Sequence, residues 1–263
     1  MTYETLLIEN ADAAGDIAVL RLNRPEAMNA MNTRMFLDMR EALRELRERA
    51  GLRCVILAGS GLKAFSAGGD LKERNGMSDD TWRRQHELIE EAFLAVKDFP
   101  LPIIAAVEGH AHGGGLELAL MCDFIVAAES AQFSLAEVKR GIMPGGGGIQ
   151  NLVRAAGMRR AKQYLFTGDR FDAAQAHEWG VVNEITAAGQ AVEGALAIAR
   201  RILQAAPMSV RYVKLAAARG GEVDFHTGYA MDIAAYNVLV SSTDRLEGVQ
   251  AFNEKRPPRW SNH

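Results

Sequence analysis

Three consecutive glycines, at 113–115, precede Glu117 by two residues. They follow an apolar run at 103–107 that predicts a buried strand, so they predict a turn into a helix beginning near Gly115. A helix N-terminus presents unpaired backbone N–H groups, which together with the helix dipole stabilise negative charge. Apolar residues surround Glu117 and predict a buried helix, in which its carboxyl has a raised pKa. We therefore favour an acid or base role for Glu117 over a purely structural one.

A second glycine turn, containing Gly68 and Gly69, also follows a predicted buried strand and leads into a short helix. Each turn could direct a backbone N–H toward one oxygen atom. Tight strand-to-helix turns also require glycine, so both interpretations stay open. Glu137 is a further candidate acid, but it stands three residues after Ser134, at capping-box spacing. Taken alone, that pattern favours a structural glutamate at the start of a helix.

Several other kinds of chemistry lack their motifs. The pair His110 and His112 has no further Cys, His or acid placed to complete a metal site, so we predict no metal. Ser66 follows Ala64 at the position where a nucleophile elbow needs glycine. The sequence has neither a Walker A motif nor a strand-linked Gly-x-Gly-x-x-Gly, which argues against nucleotide hydrolysis and dinucleotide redox chemistry.

The composition is that of a globular protein, with 263 residues, 48% of them hydrophobic, a net charge of −3 and a pI of about 6.1. No basic excess indicates nucleic acid or an anionic membrane as a partner. The sequence has no evident secretory signal and no apolar run near the ~18 residues of a membrane span. Cys54 and Cys122 lie in or beside apolar runs, which predicts buried thiols in a reducing compartment. We therefore predict a cytoplasmic protein.

Strands and helices alternate over the first 190 residues, which predicts an α/β fold with a mostly parallel sheet and helical crossovers. Asp172 and Gln175 form a second capping box and predict another helix start. Beyond residue 190 only helices are predicted, so the chain divides into a core at 1–190 and a helical region at 191–263. The predicted strands lie at 6–8, 17–22, 54–58, 103–107, 123–128 and 181–185.

Five motifs occur in an order and spacing that are far more specific together than any motif alone. They are Asn-Arg-Pro at 23–25 with Asn-Ala at 29–30, Ala-Phe-Ser-Ala-Gly-Gly-Asp-Leu-Lys-Glu at 64–73, Gly-Gly-Gly-Leu-Glu-Leu-Ala-Leu-Met-Cys-Asp at 113–123, Phe-Ser-Leu-Ala-Glu at 133–137 and Gly-Ile-Met-Pro-Gly-Gly at 141–146. This pattern resembles the enoyl-CoA hydratase/isomerase (crotonase) family, and the resemblance runs from about residue 5 to the tail at 252–256.

The resemblance implies a crotonase-like spiral of ββα units with a C-terminal helical region that mediates trimerisation, often with trimers paired as hexamers. It implies that the backbone N–H groups of Gly69 and Gly114 form an oxyanion hole and that Glu117 and Glu137 are catalytic. For Glu137 this outweighs the local structural interpretation. Further substrate contacts are implied at Ala27, Met28, Ala67, Gly68, Asp70, Leu71, Lys72, Pro144, Gly145, Phe252 and Lys255.

We therefore expect an enoyl-CoA hydratase, a lyase of fatty acid metabolism that adds water across the 2,3 double bond of a 2-enoyl-CoA thioester. The alternatives are a Δ3-Δ2-enoyl-CoA isomerase of the same family and a non-catalytic acyl-CoA-binding protein. Coenzyme A is then part of the substrate, no cofactor is expected, and the expected partners are further copies of the chain. His112 departs from the small or apolar residue common at its position, which leaves the acyl chain undetermined.

Overall fold

The computed structural model of the chain describes residues 2–262, in which strands and helices alternate before a helical C-terminal part. The strands are β1 (Leu6–Asn10), β2 (Ile17–Leu22), β3 (Cys54–Gly59), β4 (Ala64–Ser66), β5 (Ile103–Val107), β6 (His110–His112), β7 (Phe124–Ala128), β8 (Gln132–Ser134), β9 (Phe171–Asp172) and β10 (Glu184–Thr186). The α-helices are α1 (Thr33–Glu48), α2 (Leu71–Arg74), α3 (Asp79–Lys97), α4 (Gly114–Met121), α5 (Gly148–Ala156), α6 (Met158–Thr167), α7 (Ala173–Glu178), α8 (Ala191–Ile202), α9 (Pro207–Gly220), α10 (Phe225–Val240) and α11 (Thr243–Glu254). Short 3₁₀ helices cover Pro25–Ala27 and Glu137–Arg140.

The larger sheet contains six strands in the order β1–β2–β3–β5–β7–β10. β1 pairs with β2 antiparallel, and each of the other neighbouring pairs is parallel. All residues of β3 and β5 are buried, as expected for central strands of a parallel sheet, which are covered on both faces and consist of continuous apolar runs. The predicted α/β fold with a mostly parallel sheet is confirmed.

The smaller sheet contains the strands that lead into the two glycine turns. Its order is β4–β6–β8–β9, and β6 runs parallel to both β4 and β8. β4 continues through a turn into α2, and β6 continues through Gly113 into α4. Because parallel strands point the same way, β4 and β6 release their glycine turns at the same edge of the sheet.

Helix α4, which contains Glu117, is buried along almost its whole length. Every residue from Gly115 to Met121 is buried, and the helix packs against α3 and α5. The predicted buried helix is thus confirmed, and the turn before it is where the sequence placed it. Cys122, which follows the helix, is also buried.

Of the two predicted capping boxes, one is confirmed and one is wrong. Asp172 accepts a hydrogen bond from the backbone N–H of Gln175 at 2.8 Å, and the Gln175 side chain accepts from Asp172 N in return. Ser134 instead ends strand β8 opposite His112, and its hydroxyl contacts His112 Nδ1 at 2.9 Å. Strand pairing therefore takes Ser134 away from a capping position, and Ser134 and Glu137 form no capping box.

The chain divides into two compact units. One extends to Phe99 and includes Ile103–Ile198, and the other contains Pro100–Pro102 and the residues from Ala199 onward. The first unit continues past residue 190 into α8, whose Ala191 N–H donates to the carboxylate of Glu108 at 2.8 Å. Within the described residues, no helix combines the length and the apolar composition needed to span a membrane.

Candidate active site

The two glycine turns lie against each other, and their glycines are required there for space as well as for conformation. Gly68 has φ +95° and Gly113 has φ +52°, both in the region that favours glycine. A Cβ on Gly68 would lie only 2.7 Å from the carbonyl oxygen of His112 and 3.2 Å from the backbone N of Gly114. Any larger residue at 68 would therefore separate the turns.

This contact brings the backbone N–H groups of Gly69 and Gly114 close together. The position of a Cβ on Gly114 lies 3.6 Å from the Gly69 nitrogen. Gly114 begins helix α4, so its N–H has no partner within the helix. No hydrogen bond from either N–H to a described residue occurs. Both donors border one cavity, so the pair predicted as an oxyanion hole is present as two neighbouring, unengaged N–H groups.

Glu117 is 5% exposed, and one of its carboxyl oxygens is held by the backbone. Oε1 accepts hydrogen bonds from the N–H groups of Gly146, at 2.8 Å, and Gly148, at 3.0 Å. Burial raises the pKa of Glu117, and these two N–H groups, His86 and Arg74 partly oppose that rise. The fixed Oε1 orients the carboxyl and leaves Oε2 as the oxygen able to bind a ligand.

Glu137 lies beside the glycine turn at 113–115, with Oε1 only 2.8 Å from the place a Cβ on Gly113 would occupy. Its other oxygen, Oε2, is buried and accepts no hydrogen bond from a described residue. Burial raises the pKa of Glu137 to about 7, the negative charge of Glu117 adds to the rise, and the residue's own backbone N–H and Arg140 oppose it. A carboxyl with this pKa is partly protonated near neutral pH and can donate as well as accept a proton.

One cavity of about 1710 Å³ contains all four predicted catalytic residues in its wall. This exceeds the ~300–1,000 Å³ of typical small-ligand pockets, which suits a long substrate. The cavity wall also contains six of the predicted substrate contacts, namely Met28, Ala67, Gly68, Leu71, Pro144 and Gly145.

The other predicted substrate contacts lie elsewhere. Ala27, Asp70 and Lys72 are close in sequence to wall residues but are not part of the cavity wall. Phe252 and Lys255 belong to the second unit, where Phe252 is an exposed residue of α11 and Lys255 follows that helix. For these five residues substrate contact stays a prediction.

Sequence reasoning did not name Arg74, Trp82, His86 or Phe93, which belong to the cavity wall formed by α2 and α3. Arg74 donates through Nε to Gln85 at 2.7 Å and lies over the ring of Trp82, with its guanidinium carbon 4.5 Å from the ring centroid. His86 and Phe93 complete this wall beside Gly145 and Gly146. The available signal was weak, because Arg74 only extends a recognised motif by one residue and the pattern of α3 indicates a half-exposed helix.

His112 lies in the cavity wall as a neutral side chain. Burial lowers its pKa to about 4, and His110, Arg170 and Arg140 add to this effect. Its ring stacks on His110 with centroids 5.0 Å apart, and its Nε2 is buried without a partner among the described residues. No group of three or more metal-binding side chains occurs in the described part of the chain.

Comparison with known proteins identifies a family for this chain. The family model described as enoyl-CoA hydratase/isomerase matches residues 12–263. The chain belongs to the enoyl-CoA hydratase/isomerase family. It is 42% identical to the mouse (Mus musculus) enoyl-CoA hydratase domain-containing protein 2, mitochondrial, over 93% of this chain and 84% of that protein. It is 37% identical to the crotonyl-CoA hydratase of Syntrophomonas wolfei, over 97% of each.

The solved structure of an enoyl-CoA hydratase from Bacillus anthracis has the same fold. Its TM-score is 0.96 at 40% sequence identity, and the match covers 99% of this chain and 100% of that one. The expected crotonase fold is therefore confirmed together with the family. Within the family, the cavity described above is the candidate active site.

Proposed function

We propose that the chain is an enoyl-CoA hydratase that adds water across the 2,3 double bond of a 2-enoyl-CoA thioester. One observation carries the proposal: the buried carboxyl of Glu117 and the half-buried carboxyl of Glu137 share a cavity with two unengaged backbone N–H groups. Hydration needs one group to take a proton from water and one to give a proton to carbon. It also needs donors for the negative charge that develops on the thioester oxygen.

The thioester oxygen is the atom that becomes negative when water attacks C3. The N–H groups of Gly69 and Gly114 are the donors proposed to receive it. Gly114 also begins an eight-residue helix, whose N-terminal dipole favours negative charge. In comparable sites the loss of one such donor costs ~10²–10³ in rate.

The two glutamates divide the proton transfers between them. Glu117, as a carboxylate, accepts a proton from the attacking water through Oε2, because its Oε1 is held by Gly146 and Gly148. Glu137, in its protonated form, donates a proton to C2. The C3–O bond forms while the π bond between C2 and C3 breaks, and the proton on Glu117 then replaces the one that Glu137 lost.

The test follows the ultraviolet absorbance of the enoyl thioester after purified protein meets crotonyl-CoA. We expect rapid loss with the wild type and a rate lower by ~10²–10⁴ in both Glu117→Gln and Glu137→Gln, the usual contribution of acid–base catalysis. The matched control is Glu129→Gln, an exposed glutamate in the turn between β7 and β8, which should behave as wild type.

Other outcomes would support the alternatives. Turnover of a 3-enoyl-CoA that depends on one glutamate, with no loss of crotonyl-CoA, would indicate an isomerase, which can move a single proton between two carbons with one acid. Tight binding of acyl-CoA that survives both Gln substitutions, without turnover of either thioester, would indicate a non-catalytic binding protein.

We also propose that copies of the chain associate as a homotrimer or a dimer of trimers through the second unit. Support comes from α9 and α10, which together expose large apolar side chains, including Val213, Tyr229 and Tyr236, each more than half exposed. A contiguous apolar surface of this kind is typical of a protein interface. Light scattering after gel filtration measures the mass directly, and a monomer would contradict the proposal.

A further inference from the structure

The turn that contains Gly69 is held against the chain segment that precedes α1. Met31 N donates to the carbonyl of Gly68 at 2.8 Å, and Asp70 N donates to the carbonyl of Met31 at 2.9 Å. Ala67 N donates to the carbonyl of Met28 at 3.0 Å. These bonds lie on both sides of Gly69 and leave its own N–H directed elsewhere. The position of the Gly69 N–H therefore depends on the contacts between its turn and the segment that precedes α1.

The Arg24 side chain links the two segments through hydrogen bonds. One guanidinium nitrogen, Nη1, donates both to the carbonyl of Ala30 at 2.6 Å and to Oδ2 of Asp70 at 2.9 Å. The Arg24 and Asp70 side chains are 21% and 12% exposed, so the ion pair is largely shielded from water. Charge-assisted hydrogen bonds of this kind are about twice as strong as neutral ones.

Both oxygens of the Asp70 carboxylate accept hydrogen bonds from neighbouring residues. Its Oδ1 accepts from the N–H groups of Lys72 and Glu73 and caps α2, while Oδ2 accepts from Arg24. These contacts lower the pKa of Asp70, although burial opposes them. Asp70 thus joins Gly69, its neighbour in sequence, to α2 on one side and to Arg24 on the other.

The backbone of Arg24 is held in place by hydrogen bonds to the buried residue Asn29. Its backbone N donates to Oδ1 of Asn29 at 3.0 Å, and Asn29 N donates back to the Arg24 carbonyl at 2.8 Å. Asn29 is 1% exposed, and its amide donates to the carbonyls of Ser60 and Ala64 at the start of β4. Neither Arg24 nor Asp70 is part of the cavity wall, and the Arg24 guanidinium is hydrogen-bonded to Ala30 and Asp70 on either side of the Gly69 turn contact.

We propose that Arg24 is a positioning residue of the oxyanion hole, which sets the place of the Gly69 N–H through Asp70 without touching the substrate. The inference rests on the hydratase proposal, because it assigns the Gly69 N–H to the thioester oxygen. A misplacement of about 1 Å in an active site can cost ~10²-fold in rate. We therefore expect Arg24→Ala to lower kcat by roughly 10- to 100-fold, with KM changed by no more than about twofold.

The experiment compares Arg24→Ala, Arg24→Lys and Asp70→Asn with wild type. A matched control is Arg21→Ala, which removes the ion pair between Arg21 and Glu9 at 2.8 Å on the edge of the larger sheet. Two readouts are used: kcat and KM for crotonyl-CoA, and the infrared band of the ¹³C-labelled carbonyl in bound butyryl-CoA, which cannot be hydrated. Stronger hydrogen bonds to a carbonyl move its band to lower frequency.

We expect the carbonyl band of Arg24→Ala and Asp70→Asn to move back toward its position in free butyryl-CoA, with Arg24→Lys between them and wild type. Arg21→Ala should match wild type in both readouts. If Arg24→Ala does not fold, the Lys and Asn variants still give the band. A carbonyl band that stays at the wild-type position in these variants would overturn the inference, even if kcat falls. A wild type that hydrates no enoyl thioester would instead overturn the proposed function.

Discussion

Glu117 and Glu137 share one cavity but are held in opposite ways. Glu117 belongs to a regular, buried α-helix, and two backbone N–H groups fix one of its oxygens. Glu137 begins a single 3₁₀ turn, and its buried Oε2 accepts no hydrogen bond from a described residue. The first carboxyl is thus held in place as an acceptor, whereas the second has an oxygen available to carry a proton.

The charges around the two carboxyls also favour an ionised Glu117 and a protonated Glu137. Burial raises both pKa values, but Glu117 also has Arg74 and His86 to stabilise its ionised form. Glu137 has its own backbone N–H and Arg140 for that purpose, and the negative charge of Glu117 opposes its ionisation. Two acids in one site can serve as base and acid at the same pH when their surroundings favour different ionisation states. This difference is the physical basis of the roles proposed above.

The largest expected effect comes from removing both acids together. If Glu117 and Glu137 act in one proton circuit, the double variant Glu117→Gln/Glu137→Gln should hydrate crotonyl-CoA no more than about tenfold more slowly than the worse single variant. Steady-state rates of the four proteins measure this coupling. Losses that multiply across the two sites would mean that the glutamates act independently, which would contradict a shared proton circuit.

The pH dependence separates the two roles. Glu137 must be protonated to donate, so kcat/KM for hydration should fall about tenfold per pH unit above its pKa of about 7. Glu117 must be ionised to accept, so an acidic limb should appear above the ordinary pKa of a glutamate. The measurement is kcat/KM for crotonyl-CoA from pH 5 to pH 9. A hydration rate that instead rises through pH 7 would reverse the two assignments.

Stability should respond to the two sites in opposite directions. Glu117→Ala leaves the buried N–H groups of Gly146 and Gly148 without their acceptor, at a cost of about 1–3 kcal/mol each. Glu137 has its pKa raised from 4.5 to about 7 on folding, so it favours the folded state below pH 4.5. That contribution is lost as the pH rises to 7. As the pH rises from 4.5 to 8, the free energy of unfolding of Glu137→Gln should therefore increase by roughly 1–3 kcal/mol relative to that of wild type.

Urea unfolding at pH 5 and pH 8 measures both effects. The contrast would be contradicted if Glu117→Ala unfolded at the wild-type midpoint, or if the stability of Glu137→Gln and wild type followed pH in parallel. Glu117→Gln serves as the control for Glu117→Ala, because its amide oxygen can still accept from both N–H groups.

The elements of the active site were predictable to different degrees. Local patterns sufficed for the buried strand and helix around Glu117, because the periodicity of apolar residues reflects burial directly. They failed for Ser134, where pairing of β8 with β6 replaced the predicted helix cap. Arg74 and His86 in the wall of α2 and α3 were not named from the sequence, since their side chains reach the cavity only through the packing of these helices against other elements.

The sequence by itself determined which groups are available: two glycine turns after buried strands, and two glutamates in motifs that identify the family. These properties are local, because strand, turn and helix preferences depend on residues a few positions apart. Only the tertiary structure decided that the N–H groups of Gly69 and Gly114 lie close together, and that Glu137 shares a cavity with Glu117 instead of forming a capping box with Ser134. Those groups lie 45 and 20 positions apart in the chain, and the parallel pairing of β4, β6 and β8 brings them together.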